Sequence, residues 1–382
     1  MKSLFFLRDD VTFLNHGSFG ASPLPVMREY QRIQIELEKQ PVEFMDRRHD
    51  GMLSDARNCL AGYLGCGSED IVYVPNTTTG VNAVARSLPL KPGDEVLISD
   101  QEYGALEKMW NFVCLTTGAK LVKAVIPFPL SSSEETKNAI LNAVTPKTKV
   151  VFFSHISSAT ALVFPVKDIL DALRGTGVYT FIDGAHAPAQ IPLNISELDP
   201  DFYTGNCHKW MMAPKGTAFL YARKELQNLL VPPVISWGNT HRPQGYSYFI
   251  DEFEYQGTRD ISNFLAVPAA IKFMDFHNWR KVSDDCCVMI HDAKKRMEAI
   301  PGMESLYSGD TSLIRQMASV KLPANAPADL KAQLYDQYKI EIPIFPHNGE
   351  RFIRISLNGY NSEKDVDILI EALEKLIPKE TI

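Results

Sequence analysis

The amino-acid sequence predicts an α/β protein with a large, mostly parallel sheet of seven strands and a smaller α+β domain. Two observations support this prediction. From residue 71 to residue 222, apolar runs of strand length alternate with segments of helical periodicity, which is typical of a parallel sheet covered by helices. Beyond residue 261 the pattern is helical, and then changes to short alternating segments before a last helix. We expect a large domain at 20–262 and a small domain made of 1–19 and 263–382.

The elements of the large domain follow from apolar spacing and turn residues. Two helices come first, because apolar residues recur at helical spacing among mixed charges at 26–39 and 53–64. Because helical segments separate most of the apolar runs that follow, the connections suit parallel strands. The predicted strands lie at 71–74, 95–99, 120–125, 149–154, 178–182, 202–205 and 218–222.

The small domain is predicted from the C-terminal part of the chain. Helical patterns at 261–277 and 280–300 precede short alternating segments at 319–322 and 352–357. With a terminal helix at 363–376, they predict a small antiparallel sheet covered by a helix.

A proline-rich stretch, residues 231–245, predicts a long loop at the active site or at a subunit interface. We expect residues 231–250 and 43–48 to help select the substrate.

Composition excludes several classes of function. Of 382 residues, 45% are hydrophobic, which is ample for a large core, and the net charge is −7. Nucleic-acid affinity comes from neutralising phosphates with Lys and Arg, so we expect no nucleic-acid partner. The N-terminal apolar run is too short for a signal peptide, and no later run approaches the ~20 residues of a membrane span. We expect a soluble cytoplasmic protein with no membrane partner.

The cysteines predict neither a disulfide framework nor a metal site, because they form no CxxC pair and no His-rich ligand spacing. They are Cys59, Cys66, Cys114, Cys207, Cys286 and Cys287.

A carboxylate and a lysine follow two consecutive predicted strands. Asp183 ends the first of these runs, and Lys209 lies on a short loop after the second. Ligands of open α/β sheets bind at such strand ends. A lysine amine forms a Schiff base with an aldehyde cofactor, and a carboxylate against a pyridine nitrogen keeps that nitrogen protonated. Either residue alone is usually a solvated surface charge, but the pair predicts a pyridoxal 5'-phosphate site.

A second element predicts the place of the cofactor's phosphate. The segment Pro75-Asn76-Thr77-Thr78-Thr79-Gly80 follows a strand and opens a helix, so hydroxyl and N–H groups converge at a positive helix end. Thr77 and Thr78 are therefore candidate phosphate ligands. The alternative is an ordinary helix cap by one threonine.

Several motifs together resemble a known family. TFLNHGSFGASP, PNTTTGVN, QEYGALE, FIDGAHA, GNCHKW, YQGTRD and RFIRISLNGYN are similar to segments of the class V aminotransferases, which are fold type I pyridoxal phosphate enzymes. The resemblance is strongest to the branch around isopenicillin N epimerase, extends toward the cysteine desulfurases, and covers nearly the whole chain. It implies the aspartate aminotransferase-like fold and a homodimer with shared active sites.

The resemblance also implies roles for residues around the cofactor. Tyr103 matches the aromatic residue that stacks on the pyridine ring, and His186 matches the residue that bonds the phenolic oxygen. Ser158 stands where many cysteine desulfurases have an asparagine that contacts the same oxygen. In the Ser-x-His-Lys segment of the family, the serine and histidine approach the phosphate; here Asn206 replaces the serine and His208 is kept.

Four further residues are implied on the substrate side or across the subunit interface. Thr258 matches a residue that relatives contribute to the phosphate from a neighbouring subunit. Arg354 alternates with apolar residues on a predicted strand and matches the clamp for the substrate α-carboxylate. Asn15 and His16 lie in the segment that lines the substrate side.

The expected reaction begins with removal of the α-proton of an amino acid by Lys209, while Asp183 holds the ring protonated and Arg354 fixes the carboxylate. Epimerisation, carbon–sulfur cleavage and transamination all start in this way. We favour the first two, with a class V aminotransferase as the alternative and a cofactor-free binding protein as an alternative of another class. The cysteine desulfurases of this superfamily carry a nucleophilic cysteine on a loop of the C-terminal domain. Residues 300–382 of this chain contain no cysteine, which argues against desulfurase chemistry.

Overall fold

A computed structural model of the protein describes residues 1–239 and 247–378. The predicted loop at 231–245 is therefore described only up to residue 239, since 240–246 lie outside these ranges. The strands are β1 (Thr12–Phe13), β2 (Ile71–Val74), β3 (Glu95–Ser99), β4 (Lys120–Ala124), β5 (Thr148–Ser154), β6 (Tyr179–Asp183), β7 (Phe202–Asn206), β8 (Ala218–Ala222), β9 (Glu304–Ser305), β10 (Met317–Lys321), β11 (Ile340–Glu341), β12 (Ile344–His347) and β13 (Glu350–Ser356).

Helices fill most of the remaining chain. None of those within the two described ranges combines the length and apolar character needed to cross a bilayer. The predicted substrate-selecting segment Glu43–Arg48 forms a π-helix. The α-helices are α1 (His16–Phe19), α2 (Leu24–Lys39), α3 (His49–Leu64), α4 (Thr77–Ser87), α5 (Gly104–Thr117), α6 (Ser133–Asn142), α7 (Val166–Leu173), α8 (Ile195–Leu198), α9 (Tyr248–Glu254), α10 (Ser262–Leu265), α11 (Val267–Phe276), α12 (Trp279–Glu298), α13 (Leu330–Tyr338) and α14 (Glu363–Leu376).

The large sheet has seven strands in the order β2-β8-β7-β6-β5-β3-β4. Only β8 is antiparallel to its neighbours β2 and β7, and the other pairs are parallel. The predicted mostly parallel sheet is therefore confirmed. The strand order reverses between β3 and β5, and in such sheets ligands bind outside the carboxyl ends at this reversal.

Both faces of the sheet are covered, which explains why its strands are nearly continuous apolar runs. Successive residues of one strand point to opposite faces, so Phe152 and Phe153 of β5 enter two different hydrophobic clusters. The sheet is thereby held rigid on both sides, and the loops at its carboxyl edge start from fixed positions.

A second, antiparallel sheet has the order β12-β13-β10-β9, which confirms the predicted α+β part at the C-terminal end. The N-terminal segment joins this part, because β1 pairs with β11 and Asn15 bridges to Ser356 at the end of β13. Arg354 of β13 is therefore brought next to residues 15–20. The proposed domain boundaries at 19/20 and 262/263 place this segment with the small domain.

Candidate active site

One cleft lies at the carboxyl edge of the large sheet, beside the strand reversal. It gathers residues from the ends of β3, β5, β6 and β7, from the start of α4, and from the N-terminal segment. Its lining residues are Ser18, Phe19, Asn76, Thr77, Thr78, Tyr103, Leu106, Ser154, Ile156, Ser158, Asp183, Ala185, His186, Asn206, His208 and Lys209. The structure thus brings together nine of the residues singled out in the sequence.

Lys209 enters the cleft from the turn after β7. The N–H groups of Cys207 and His208 both donate to the Thr217 carbonyl, which holds the turn against the start of β8. The Lys209 amine lies 3.1 Å from Nε2 of His186. Burial, reinforced by the charge of Arg354, lowers the pKa of Lys209 to about 7, and Asp183 opposes this shift. A larger fraction of the amine is therefore uncharged near neutral pH, as nucleophilic attack requires.

Asp183 is the last residue of β6, and its side chain is buried. One carboxylate oxygen accepts a 2.8 Å hydrogen bond from the Ala185 N–H group. Burial raises the pKa of Asp183 to about 6, while the Ala185 bond and the charge of Lys209 lower it. A buried carboxylate of this kind is stabilised by a cationic partner, and a protonated ring nitrogen is such a group.

The start of α4, where Thr77 lines the cleft, has an unsatisfied polar atom. Asn76 caps the helix by accepting the Thr79 N–H at 2.8 Å, and the Thr77 N–H donates to Oδ1 of Asn206 at 3.0 Å. The buried Thr77 hydroxyl, in contrast, has no hydrogen-bond partner within the described ranges. An orphaned hydroxyl at the positive end of an eleven-residue helix fits an anionic group such as phosphate.

Asn206 and His208 complete this end of the cleft. Asn206 anchors the first turn of α4 through Thr77, a contact for which the short hydroxyl of a serine would have less reach. Nδ1 of His208 donates to the Thr217 carbonyl at 2.9 Å, which leaves Nε2 as the other polar atom of the ring. Burial lowers the pKa of His208 to about 4, with Lys209 and Lys215 adding to the shift. A phosphate dianion beside the ring would oppose this shift.

Tyr103 forms an exposed wall of the cleft. It is the residue before α5, and 51% of its surface is accessible, so the ring is free to cover a flat ligand. Offset stacking of aromatic rings contributes about 0.5–1.5 kcal/mol beyond area burial.

Arg354 is a buried cation next to the cleft. Its Nη1 donates to the carbonyl of Ser158 and to the Ser158 hydroxyl at 3.2 Å, and its Nη2 donates to the Ser18 hydroxyl at 3.3 Å. Nε has no partner, and no carboxylate of residues 1–239 or 247–378 lies within ion-pair distance. Burial lowers the pKa of Arg354 to about 10. A buried guanidinium without an acidic partner is a candidate binding site for an anion.

Besides Arg354, three predicted residues do not line this cleft. Asn15 lies behind Ser18, whose hydroxyl donates to Asn15 Oδ1 at 2.5 Å. His16 is fully buried beneath the lysine turn, where its Nε2 lies 3.1 Å from the Lys209 carbonyl. Thr258 is exposed and lies outside the cleft of its own chain. Asn15 and His16 therefore contact the cleft only indirectly, through Ser18 and the Lys209 backbone.

The structure also shows site features that we did not predict from the sequence. Ser18 and Phe19 line the cleft. Gly20 has φ +70°, and a Cβ there would lie 2.2 Å from the His208 carbonyl oxygen and 2.9 Å from Lys209 Cα. Only glycine fits this position, because the N-terminal segment packs directly on the lysine turn. The glycines of the LNHGSFG motif are the sequence feature from which this close packing could have been predicted.

Together, the fold and the cleft define a fold type I enzyme with a lysine and a carboxylate at the strand ends. Comparisons with known proteins agree with this class. A family model described as Aminotransferase class-V matches residues 24–369, so the chain belongs to the class V aminotransferase family, as the sequence motifs predicted.

The relatives cover nearly all of the chain. Isopenicillin N epimerase of Amycolatopsis lactamdurans is 34% identical over 96% of this chain and 95% of its own length. A putative L-cysteine desulfhydrase of Oryza sativa subsp. japonica is 28% identical over 96% of this chain and 83% of its own length. The crystal structure of the Escherichia coli cysteine desulfurase CsdA aligns with a TM-score of 0.82 at 22% identity, over 98% of this chain and 97% of that one.

Proposed function

We propose that this protein is a pyridoxal 5'-phosphate-dependent enzyme that removes the α-proton of an amino acid and catalyses epimerisation or carbon–sulfur cleavage. The observation that carries this proposal is the presence of Lys209 and Asp183 in one cleft, with the pKa of the lysine lowered and that of the carboxylate raised by burial. Perturbed pKa values of this kind cluster at catalytic sites. The names of the epimerase and desulfhydrase relatives support the two outcomes.

The residues present fit the cofactor at each of its ends. Thr77, Thr78, Asn206 and His208 would hold the phosphate, and the Thr77 hydroxyl, which has no other partner in the described ranges, would be one of its donors. Asp183 would hold the ring nitrogen. Tyr103 would cover the ring face, and His186 and Ser158 would approach the phenolic oxygen. When bound, the cofactor supplies a sink for the electrons left on the α-carbon.

The chain's own side chains then orient the substrate and move one proton. Arg354 binds the α-carboxylate through its planar fork, and Ser18 and Ser158 hold that fork in place. Lys209 would hold the cofactor covalently, and its amine would accept the α-proton of the amino acid. Asp183 would keep the ring nitrogen protonated.

Cysteine chemistry of the desulfurase type is not supported by the cleft. All six cysteines lie in the described ranges, and none lines the cleft. Cys207 is nearest in sequence to Lys209, but it is fully buried, and this burial raises the pKa of its thiol. Because a thiolate is the nucleophile in persulfide formation, a buried thiol with a raised pKa is unsuited to it. The epimerase or lyase outcome is therefore preferred.

A panel of amino acids incubated with the enzyme in deuterated water tests this function. We expect at least one amino acid to gain deuterium at the α-carbon, because every proposed outcome begins with exchange of that proton. Mass spectrometry of the products separates the outcomes: deuterium alone with loss of optical purity indicates epimerisation, whereas ammonia with pyruvate indicates a lyase. Failure of every amino acid to exchange, in protein that carries the cofactor, would contradict the proposal.

We also propose that two chains share their active sites in a homodimer located in the cytoplasm. Thr258 is exposed and does not line the cleft of its own chain, as expected for a residue that serves the partner's phosphate site. The exposed rings of Phe19 and Trp237, each 71% accessible, offer apolar surface for an interface. Free thiols at all six cysteines fit a reducing compartment.

Light scattering should give a mass of about twice the 42.8 kDa of one chain. Mixing two inactive variants then tests whether Thr258 acts across the interface. Lys209→Ala and Thr258→Asp each lack one part of the site, and the aspartate repels the phosphate. In a hybrid dimer, the chain with the intact lysine meets the intact Thr258 of its partner, so activity should return. Absence of recovery in proven hybrids would place Thr258 outside the partner's site.

A further inference from the structure

Trp210 follows Lys209 directly and carries a polar atom that the proposed reaction does not use. Its indole ring is fully buried, and its Nε1 lies 3.2 Å from Nδ1 of His186. An indole N–H group is a donor only, so Nδ1 of His186 has to accept and carries no proton. The single ring proton of the neutral imidazole is then on Nε2.

The other ring nitrogen of His186 meets the lysine. Nε2 lies 3.1 Å from Nζ of Lys209. An Nε2–H group needs an acceptor, and an ammonium group offers none, whereas an uncharged amine has one lone pair. This hydrogen bond is therefore made only with uncharged Lys209, which is the form that attacks an aldehyde.

We propose that Trp210 is a positioning residue: its indole N–H holds His186 as the Nε2–H tautomer, and His186 in turn favours the uncharged amine of Lys209. The same tautomer presents a donor to an oxygen atom at the Lys209 end of the cleft. The consequence for catalysis rests on the proposed function. The tautomer itself is a property of the protein without cofactor.

The surroundings support a fixed ring. The His186 carbonyl accepts a 2.8 Å bond from Gln190, and the Trp210 ring packs against His16 at 4.8 Å between centroids. Both partners of the Nδ1 bond are thus held in place from outside the cleft. The charged and titratable groups that face Lys209 are Asp183, His186, His16, His208 and Arg354. Of these, Arg354 favours the uncharged amine, and Asp183 favours the ammonium form.

The tautomer is tested in the apoenzyme by long-range ¹H–¹⁵N spectra of protein labelled with ¹⁵N-histidine. The His186 signals are assigned by their loss in His186→Gln. We expect the Nε2–H pattern in the unchanged apoenzyme, and a shift toward the Nδ1–H pattern in Trp210→Phe, which lacks the donor. Finding Nδ1–H in the unchanged protein overturns the proposal, as does an Nε2–H pattern that Trp210→Phe leaves unaltered.

The effect on Lys209 is tested by the rate at which added pyridoxal 5'-phosphate forms a borohydride-reducible link to the apoenzyme, measured across pH. In Trp210→Phe, the indole N–H group is lost and no longer holds His186 as the Nε2–H tautomer. The uncharged amine of Lys209 is then less favoured, so the pKa of Lys209 should rise. We therefore expect the link to form about threefold to tenfold more slowly below that pKa. The two rates should converge at high pH, where the amine is uncharged in both proteins. Equal slowing at every pH would indicate only lost packing and would reject the proposal.

Trp110→Phe is the matched control. Trp110 is equally buried, but its Nε1 has no partner within the described part of the chain, so its loss should leave the pH profile unchanged. If Trp210→Phe does not fold, benzothienylalanine at position 210 keeps the ring shape and replaces only the N–H group. A protein that never links the cofactor would refute the proposed function, and the histidine spectra would still decide the tautomer.

Discussion

Replacing Lys209 by alanine is expected to abolish turnover of every amino acid and to make the cofactor removable by dialysis. Lys209 is proposed to serve twice, as the covalent attachment point and as the base that accepts the α-proton. Loss of a positioned general base alone lowers rates by about 10²–10⁴-fold. Loss of the covalent link adds to this effect, because the resting enzyme no longer retains the cofactor. Activity should therefore fall below detection in a standard assay.

Borohydride reduction followed by peptide mass spectrometry provides the measurement. In the unchanged protein, the added mass should lie on the peptide that contains Lys209 and should be absent from Lys209→Ala. Lys215→Ala is the control, since Lys215 is an exposed lysine of the same loop outside the cleft. It should retain both the modification and the activity. Retained turnover in Lys209→Ala, or reduction at another lysine, would remove Lys209 from its proposed role.

Replacing Arg354 by alanine is expected to reduce kcat/KM for the amino-acid substrate by roughly 30-fold to 5,000-fold. Removing one partner of a buried, hydrogen-bonded charge pair costs about 2–5 kcal/mol, and about 1.4 kcal/mol corresponds to a factor of ten. Arg354 has no acidic partner in the described ranges, so its guanidinium is available to pair with the substrate carboxylate, and the alanine variant would lose this pair. The cofactor should remain bound, because none of the proposed phosphate ligands contacts Arg354.

Steady-state kinetics and the absorption of the bound cofactor measure the two effects separately. Arg354→Lys should recover part of the loss, since a lysine restores the charge but lacks the planar fork. Arg351→Ala is the matched control: it lies on the same strand, and its guanidinium donates to the carbonyls of Ala326 and Pro327. It should leave KM unchanged. An unaltered KM in Arg354→Ala itself would exclude Arg354 from substrate binding.

Much of the large sheet could be predicted from the sequence, because its strands are buried on both faces. The bounds of β2, β3 and β8 agree with the predicted ranges, since each contains an apolar run of three to five residues that is flanked by polar residues or proline. The proximity of Asp183 and Lys209 could also be predicted from these apolar runs. Each follows the carboxyl end of a predicted strand, and such ends share one edge of a parallel sheet.

The contacts of the N-terminal segment could not be predicted in this way. The motif pointed to Asn15 and His16, whereas Ser18 and Phe19 line the cleft, and Gly20 packs on the lysine turn. These contacts join residues that are far apart in sequence, and apolar periodicity reports only on neighbours within one element. For the same reason, the sequence could not show that the Thr77 hydroxyl lacks a partner in the described ranges while the Thr77 backbone N–H donates to Asn206.

By itself, the sequence determined the class of the fold, the family, and the chemistry of the lysine and carboxylate, because these depend on local periodicity and on residue type. Only the tertiary structure decided which side chains share one cleft, how burial moves the pKa values of Lys209 and Asp183, and which ring nitrogen of His186 faces the lysine. Burial and hydrogen-bond direction depend on groups from several elements at once. They arise only when the packed sheet brings those elements together.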